Sequence, residues 1–123
     1  MTDTPHIVRI ILLSQAMLFA LAATLHSGVI VSGYEHGRAE IAETIIALVL
    51  IAGAVVTLLR PHLARISGYA AQGFALLGTF VGLFTIAVGI GPQTGLDLSI
   101  HALMNASLVG GLVLTWRLPA TSA

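Results

Sequence analysis

The chain has 123 residues, 57% hydrophobic and only 8% charged, whereas a soluble domain carries about 25% charged residues, so its composition points to a lipid bilayer. Five arginines balance five acids without a basic run, which excludes nucleic acid as a partner. No cysteine is present, so disulfides, thiolate metal sites and thiol nucleophiles are excluded, and the lack of lysine excludes Schiff-base chemistry and retinal-type photoreceptors.

Crossing about 30 Å of hydrocarbon takes about 20 mostly apolar residues, and four stretches qualify. The first, Ile7 to Val31, is too long for the apolar core of a signal peptide and reads as a retained helix. It carries Gln15 and His26, eleven residues apart and nearly on one helical face. A Gly-rich turn, "SGYEHG", leads to the second span, Arg38 to Leu59, which holds Glu40 and Glu43. The proline-containing "RPHLAR" turn precedes the third, Leu63 to Val88, with Gln72 and a Gly78-x-x-x-Gly82 pair. After "GIGPQTG" comes the fourth, Leu96 to Trp116, where Asp97, His101 and Asn105 recur every four residues as one polar stripe. The pattern predicts an all-α membrane protein: one domain over residues 1–123, a four-transmembrane-helix up-down bundle joined by short turns.

Arg9, Arg60, Arg65 and Arg117 fall at one end of this bundle and Arg38 alone at the other. Positive charge is retained on the cytoplasmic side, so both termini are expected in the cytoplasm and the two Gly-rich turns outside a cytoplasmic membrane. The halves, 1–61 and 62–123, also resemble each other weakly. Gln15 corresponds to Gln72, the Gly33 to Gly37 turn to Gly91 to Gly95, and "LLRP" to "TWRLP". Two spans per half give a parallel two-helix repeat about an axis along the membrane normal.

Counting 1.5 Å per residue from the outer turns places His26, Glu43 and His101 at one depth, roughly 8 to 10 Å below the outer surface. Glu40 and Asp97 fall about one turn shallower. Ionisable groups facing lipid each cost about 2.5 kcal/mol or more, so these side chains are expected to turn inward and meet. Imidazole and carboxylate suit a transition-metal ion such as Zn, Fe, Mn or Cu, and carboxylate-rich bundle cores bind metals. The first functional expectation is therefore a metal site built from His26, Glu43 and His101, with Glu40 and Asp97 as further or supporting ligands. Its substrate would be lipophilic if the metal is catalytic. Haem b held axially by His26 and His101 is an alternative. A further one makes Glu43 and His101 a hydrogen-bonded pair that locks helix 2 to helix 4 in an accessory or structural subunit. Small-residue faces, Gly78-x-x-x-Gly82 and Ala106-x-x-x-Gly110, would then dock a second copy or a membrane-complex partner. A proton-coupled transporter completes the set, although Ser14, Gln15 and Gln72 give the inner half little to continue a path.

The stretch "GIGPQTGLDLSIHALM", with its Gly-Pro-x-Thr turn followed by Asp97 and, four residues on, His101, resembles a group of small bacterial four-helix membrane proteins without an established activity. "LHSGV" at the end of helix 1 and "AEIAET" at the start of helix 2 are similar to the same group. The resemblance implies the four-span topology and singles out Asp97 and His101. It implies no reaction.

Overall fold

A computed structural model describes residues 3–120. Four helices follow one another: α1 (Thr4–His26), α2 (Gly37–Leu59), α3 (Ala64–Ala87) and α4 (Gly95–Arg117), with one 3-10 turn at Pro61–Leu63 between α2 and α3. All four are long and apolar enough to cross a membrane, and the chain is an all-α, multi-pass membrane protein folded as a four-helix bundle.

Local chemistry sets the helix ends. Asp3 caps α1 by accepting from His6 N at 3.2 Å, and a proline in the first turn has no amide hydrogen to leave unpaired. The first span ends at His26, five residues before the expected Val31. The apolar run Val29 to Val31 suggests continuation, but Gly28 adopts φ +76° and turns the chain out of the helix. Val29 and Ile30 consequently project from the bundle. The turn returns at once, His36 N donating to His26 O at 2.8 Å. His36 then caps α2, its Nδ1 accepting from Ala39 N at 3.3 Å. At α4, Thr94 and Asp97 form a reciprocal capping box.

α1 packs against each of the other three helices. Its inward face, Val8, Leu12, Ala16 and Phe19, meets Ile46 and Leu50 of α2, Ala71 and Ala75 of α3, and Met104 and Leu108 of α4 in one core. Bulkier apolar residues, among them Met17, Leu48, Leu77, Phe84 and Leu103, point outward, the distribution demanded when the solvent is lipid. Since lipid tails compete for apolar contact as well as leucine does, close approach and buried hydrogen bonds must hold the helices together. Gly53 supplies the approach: a Cβ there would lie 2.9 Å from that of Ala71. Ser67 Oγ donates to Gly53 O across the same contact at 2.8 Å.

Hydrogen bonds are supplied halfway down by two glutamines, Gln15 and Gln72. Gln15 Nε2 donates to Gln72 Oε1 at 3.0 Å and to Ser107 O at 2.9 Å, while Gln72 Nε2 donates to Gly68 O at 3.0 Å and Thr115 Oγ1 at 3.1 Å. α1, α3 and α4 are thereby joined, and Gly111 leaves the room, since a Cβ at that position would collide with both amide groups. At the end holding both termini, Arg9 donates to Thr57 Oγ1 and Thr57 O, each at 3.3 Å. Arg65 donates there to Tyr69 Oη at 3.1 Å and Trp116 O at 3.3 Å.

Candidate functional site: a histidine held by two carboxylates beside a cavity

His26, the last residue of α1, is central to the polar cluster at the Gly-rich-turn end. Its Nδ1 lies 2.7 Å from Glu43 Oε2 of α2, and its Nε2 lies 3.0 Å from Asp97 Oδ1 of α4. The three side chains are withdrawn from the surface, at 1%, 4% and 1% exposure for His26, Glu43 and Asp97. Each nitrogen-to-oxygen contact carries one hydrogen, because two bare lone pairs at that distance repel. These ionisable groups, and any charge they carry, are held out of reach of water. Burial of that charge is tolerable only with further hydrogen bonds. Asp97 has them: Oδ2 accepts from Thr94 N at 3.0 Å and from Thr94 Oγ1. Glu43 does not, for its Oε1 is buried without a protein partner.

His101 stands one turn deeper than Asp97 on α4. Its Nδ1 is 2.8 Å from Asp97 O; a carbonyl only accepts, so Nδ1 carries the hydrogen and Nε2 keeps its lone pair in the neutral ring. Nε2 faces Gly82 of α3, where a Cβ would come within 3.1 Å of it. Asn105, the third residue of the stripe, donates to His101 O at 2.8 Å and accepts from Thr79 Oγ1 at 3.3 Å. Glu40 is directed elsewhere, into a groove beside Ala20, Thr24 and Ser27 between α1 and α2.

The expected locking pair of Glu43 and His101 is thus replaced by a bridge through His26, and Asp97 rather than His101 is the α4 member at that level. Depth counting missed this because α1 ends at His26 itself, which lowers no residue but moves the histidine level with the third residue of α4. Among the described residues, no group of three histidine or acidic side chains is arranged to hold a metal ion. Both lone-pair positions of the His26 ring are spent on carboxylates, so that ring offers no nitrogen to a metal or to haem iron while the triad stands. Glu40 lies outside the cluster.

Comparison with protein-family models, curated proteins and solved structures finds no match.

Beside the triad a cavity of about 220 Å³ opens between α2, α3 and α4. Phe19, Ile46, Val81 and Met104 give it an apolar body, and Glu43, Thr79, Thr85 and His101 give it polar atoms, with His36 and Arg38 at the mouth. Its size is somewhat below the usual range of about 300 to 1,000 Å³ for small-molecule sites, enough for one ring or a short branched chain. Thr94 was signalled in the sequence by the Thr-x-x-Asp spacing of a capping box. Thr79 and Thr85 carried no signal, because one hydroxyl in an apolar span is ordinary helix packing, and the Gly78-x-x-x-Gly82 pair, read as a docking face, instead faces Ile46 and His101 inside the bundle.

Proposed function

We propose that the chain is a binding protein of the cytoplasmic membrane, with both termini in the cytoplasm, that takes a small lipophilic molecule into the cavity at its outer end. The observation that supports it is the cavity of about 220 Å³ itself, an apolar body of Phe19, Ile46, Val81 and Met104 with Glu43, Thr79, Thr85 and His101 at its lining, set between the helices beside the triad. Clustering of Arg9, Arg60, Arg65 and Arg117 at the opposite end supports the orientation.

Native mass spectrometry of protein extracted in mild detergent tests the binding, comparing the natural sequence with Thr79→Phe, which adds a ring at a buried position of the cavity wall. A small molecule retained by the first and lost from the second supports the proposal. A folded Thr79→Phe protein that retains the same molecule contradicts it. For orientation, a membrane-impermeant maleimide should label Ser32→Cys and Gln93→Cys in intact cells, in a chain with no other cysteine; protection of both would reverse the topology.

A further inference from the structure

His101 gives the cavity a polar atom that is both unpartnered and within reach. The residue is only 5% exposed and lines the cavity. Its Nδ1 is spent on Asp97 O, and its Nε2 has no hydrogen-bond partner. Glu43 Oε1 is also unpartnered but closed to contact, whereas His101 Nε2 is not among the sealed atoms. Nε2 looks toward Gly82, where a Cβ would crowd it at 3.1 Å, so glycine at that position keeps the nitrogen open. The hydroxyls of Thr79 and Thr85 direct their hydrogens to protein oxygens, Leu76 O or Asn105 Oδ1 for the first and Gly82 O for the second. Both therefore offer a ligand lone pairs only.

A molecule in this space must satisfy one imidazole nitrogen and otherwise be apolar. A charged group would be dehydrated there without an opposite charge open to it, because Glu43 turns one oxygen to His26 and its other is sealed. Arg38, at the mouth, is exposed and shares its rim with Glu35, where an ion pair contributes little. Among neutral groups a hydroxyl fits best. It donates to Nε2 of a neutral ring and accepts from the N–H of a protonated one, so its fit does not depend on the charge of His101. An ether or ketone serves only the protonated ring, and a hydrocarbon serves neither.

Resting on the cavity reading above, we infer that the ligand is a lipophilic alcohol or phenol, the size of one ring with a short arm, whose hydroxyl bonds to His101 Nε2. Its hydrocarbon body lies against Phe19, Ile46 and Met104.

Isothermal titration of the full chain in lipid nanodiscs, with affinities referred to the probe's concentration in the lipid, tests this. The probes share one shape: 2-phenylethanol, propylbenzene, phenylacetate, and 2-phenylethylamine as its ammonium. The alcohol should bind at least about tenfold more tightly than each of the others, a difference of about 1.4 kcal/mol. His101→Phe should bring alcohol and hydrocarbon within about threefold of each other, and Gly82→Ala should do the same by crowding Nε2. The nitrogen-15 resonance of His101 Nε2 should move when the alcohol is added and stay when propylbenzene is added, which decides the matter even if a variant fails to fold. Propylbenzene or a charged probe bound as tightly as the alcohol, and excluded by a folded Thr79→Phe protein, overturns the hydroxyl inference while the cavity reading stands. Absence of binding by every probe overturns the inference alone, since native mass spectrometry decides the cavity reading separately. Binding that Thr79→Phe leaves unchanged overturns both.

Discussion

Replacing His26 with leucine removes one side chain and strands two. Glu43 Oε2 loses its partner at 2.7 Å and Asp97 Oδ1 its partner at 3.0 Å. Glu43 is affected more, because its other oxygen already lacks a partner, whereas Asp97 keeps both contacts with Thr94. Breaking a buried ion pair from one side costs about 3 to 5 kcal/mol, while replacing both members with apolar groups of similar volume is often close to neutral. His26→Leu and Glu43→Leu should therefore each lower stability by about 3 kcal/mol, and the double variant, at about 2 kcal/mol, should cost about 4 kcal/mol less than their sum. The residual penalty of the double variant is that of Asp97 Oδ1, left facing leucine. Unfolding in mixed micelles, with rising mole fraction of denaturing detergent, measures all four corners of this cycle. Additivity within about 0.5 kcal/mol would mean the two side chains do not interact, and the bridge between α1 and α2 would have to be abandoned.

Other outcomes follow from the same packing. Gly111→Ala should cost about 2 kcal/mol or more, because its methyl would enter the space of the Gln15 and Gln72 amides; a thermal melt unchanged from the natural sequence would contradict that network. Thr94→Ala should cost about 1 kcal/mol through loss of the α4 cap, and it should also loosen Asp97, read as faster amide exchange at the start of α4 but not at the start of α2. Gly28→Ala should be worse than Gly33→Ala by the same melt. Both glycines have positive φ, but a methyl at Gly28 meets the Glu35 side chain while Gly33 has open space.

Topology was legible because membrane spans announce themselves by length and by the turn residues between them. Depth was legible for α1 and α2, where helical rise brought His26 and Glu43 to one level, but it put His101 there in place of Asp97. The partner choice was not legible. Whether Glu43 meets His101 or His26 depends on the rotation of α1 and on where that helix stops, and the stop is decided by the backbone of Gly28, which the apolar Val29, Ile30 and Val31 after it conceal. Glu40 looked equivalent to Glu43 because three residues is nearly one turn; the remaining 60° of helical rotation is enough to send it into the groove between α1 and α2. The pairing of Gln15 with Gln72 was suggested by the repeat, since side chains related by the axis and close to it have each other as neighbours. The Gly78-x-x-x-Gly82 pair was visible as a small-residue face but not as a cavity, because the space those glycines leave open has its other walls on different helices.

The central claim is that His26 is committed to Glu43 and Asp97 through both ring nitrogens. Nitrogen-15 NMR of the histidine rings in lipid bilayers, with His26 assigned by its loss in His26→Asn, measures this directly. Both His26 nitrogens should report hydrogen bonds to carboxylate, and neither should shift when Zn²⁺ is added. A His26 nitrogen that is free of hydrogen bonding, or that moves to a metal-bound position on titration with Zn²⁺, would contradict the account.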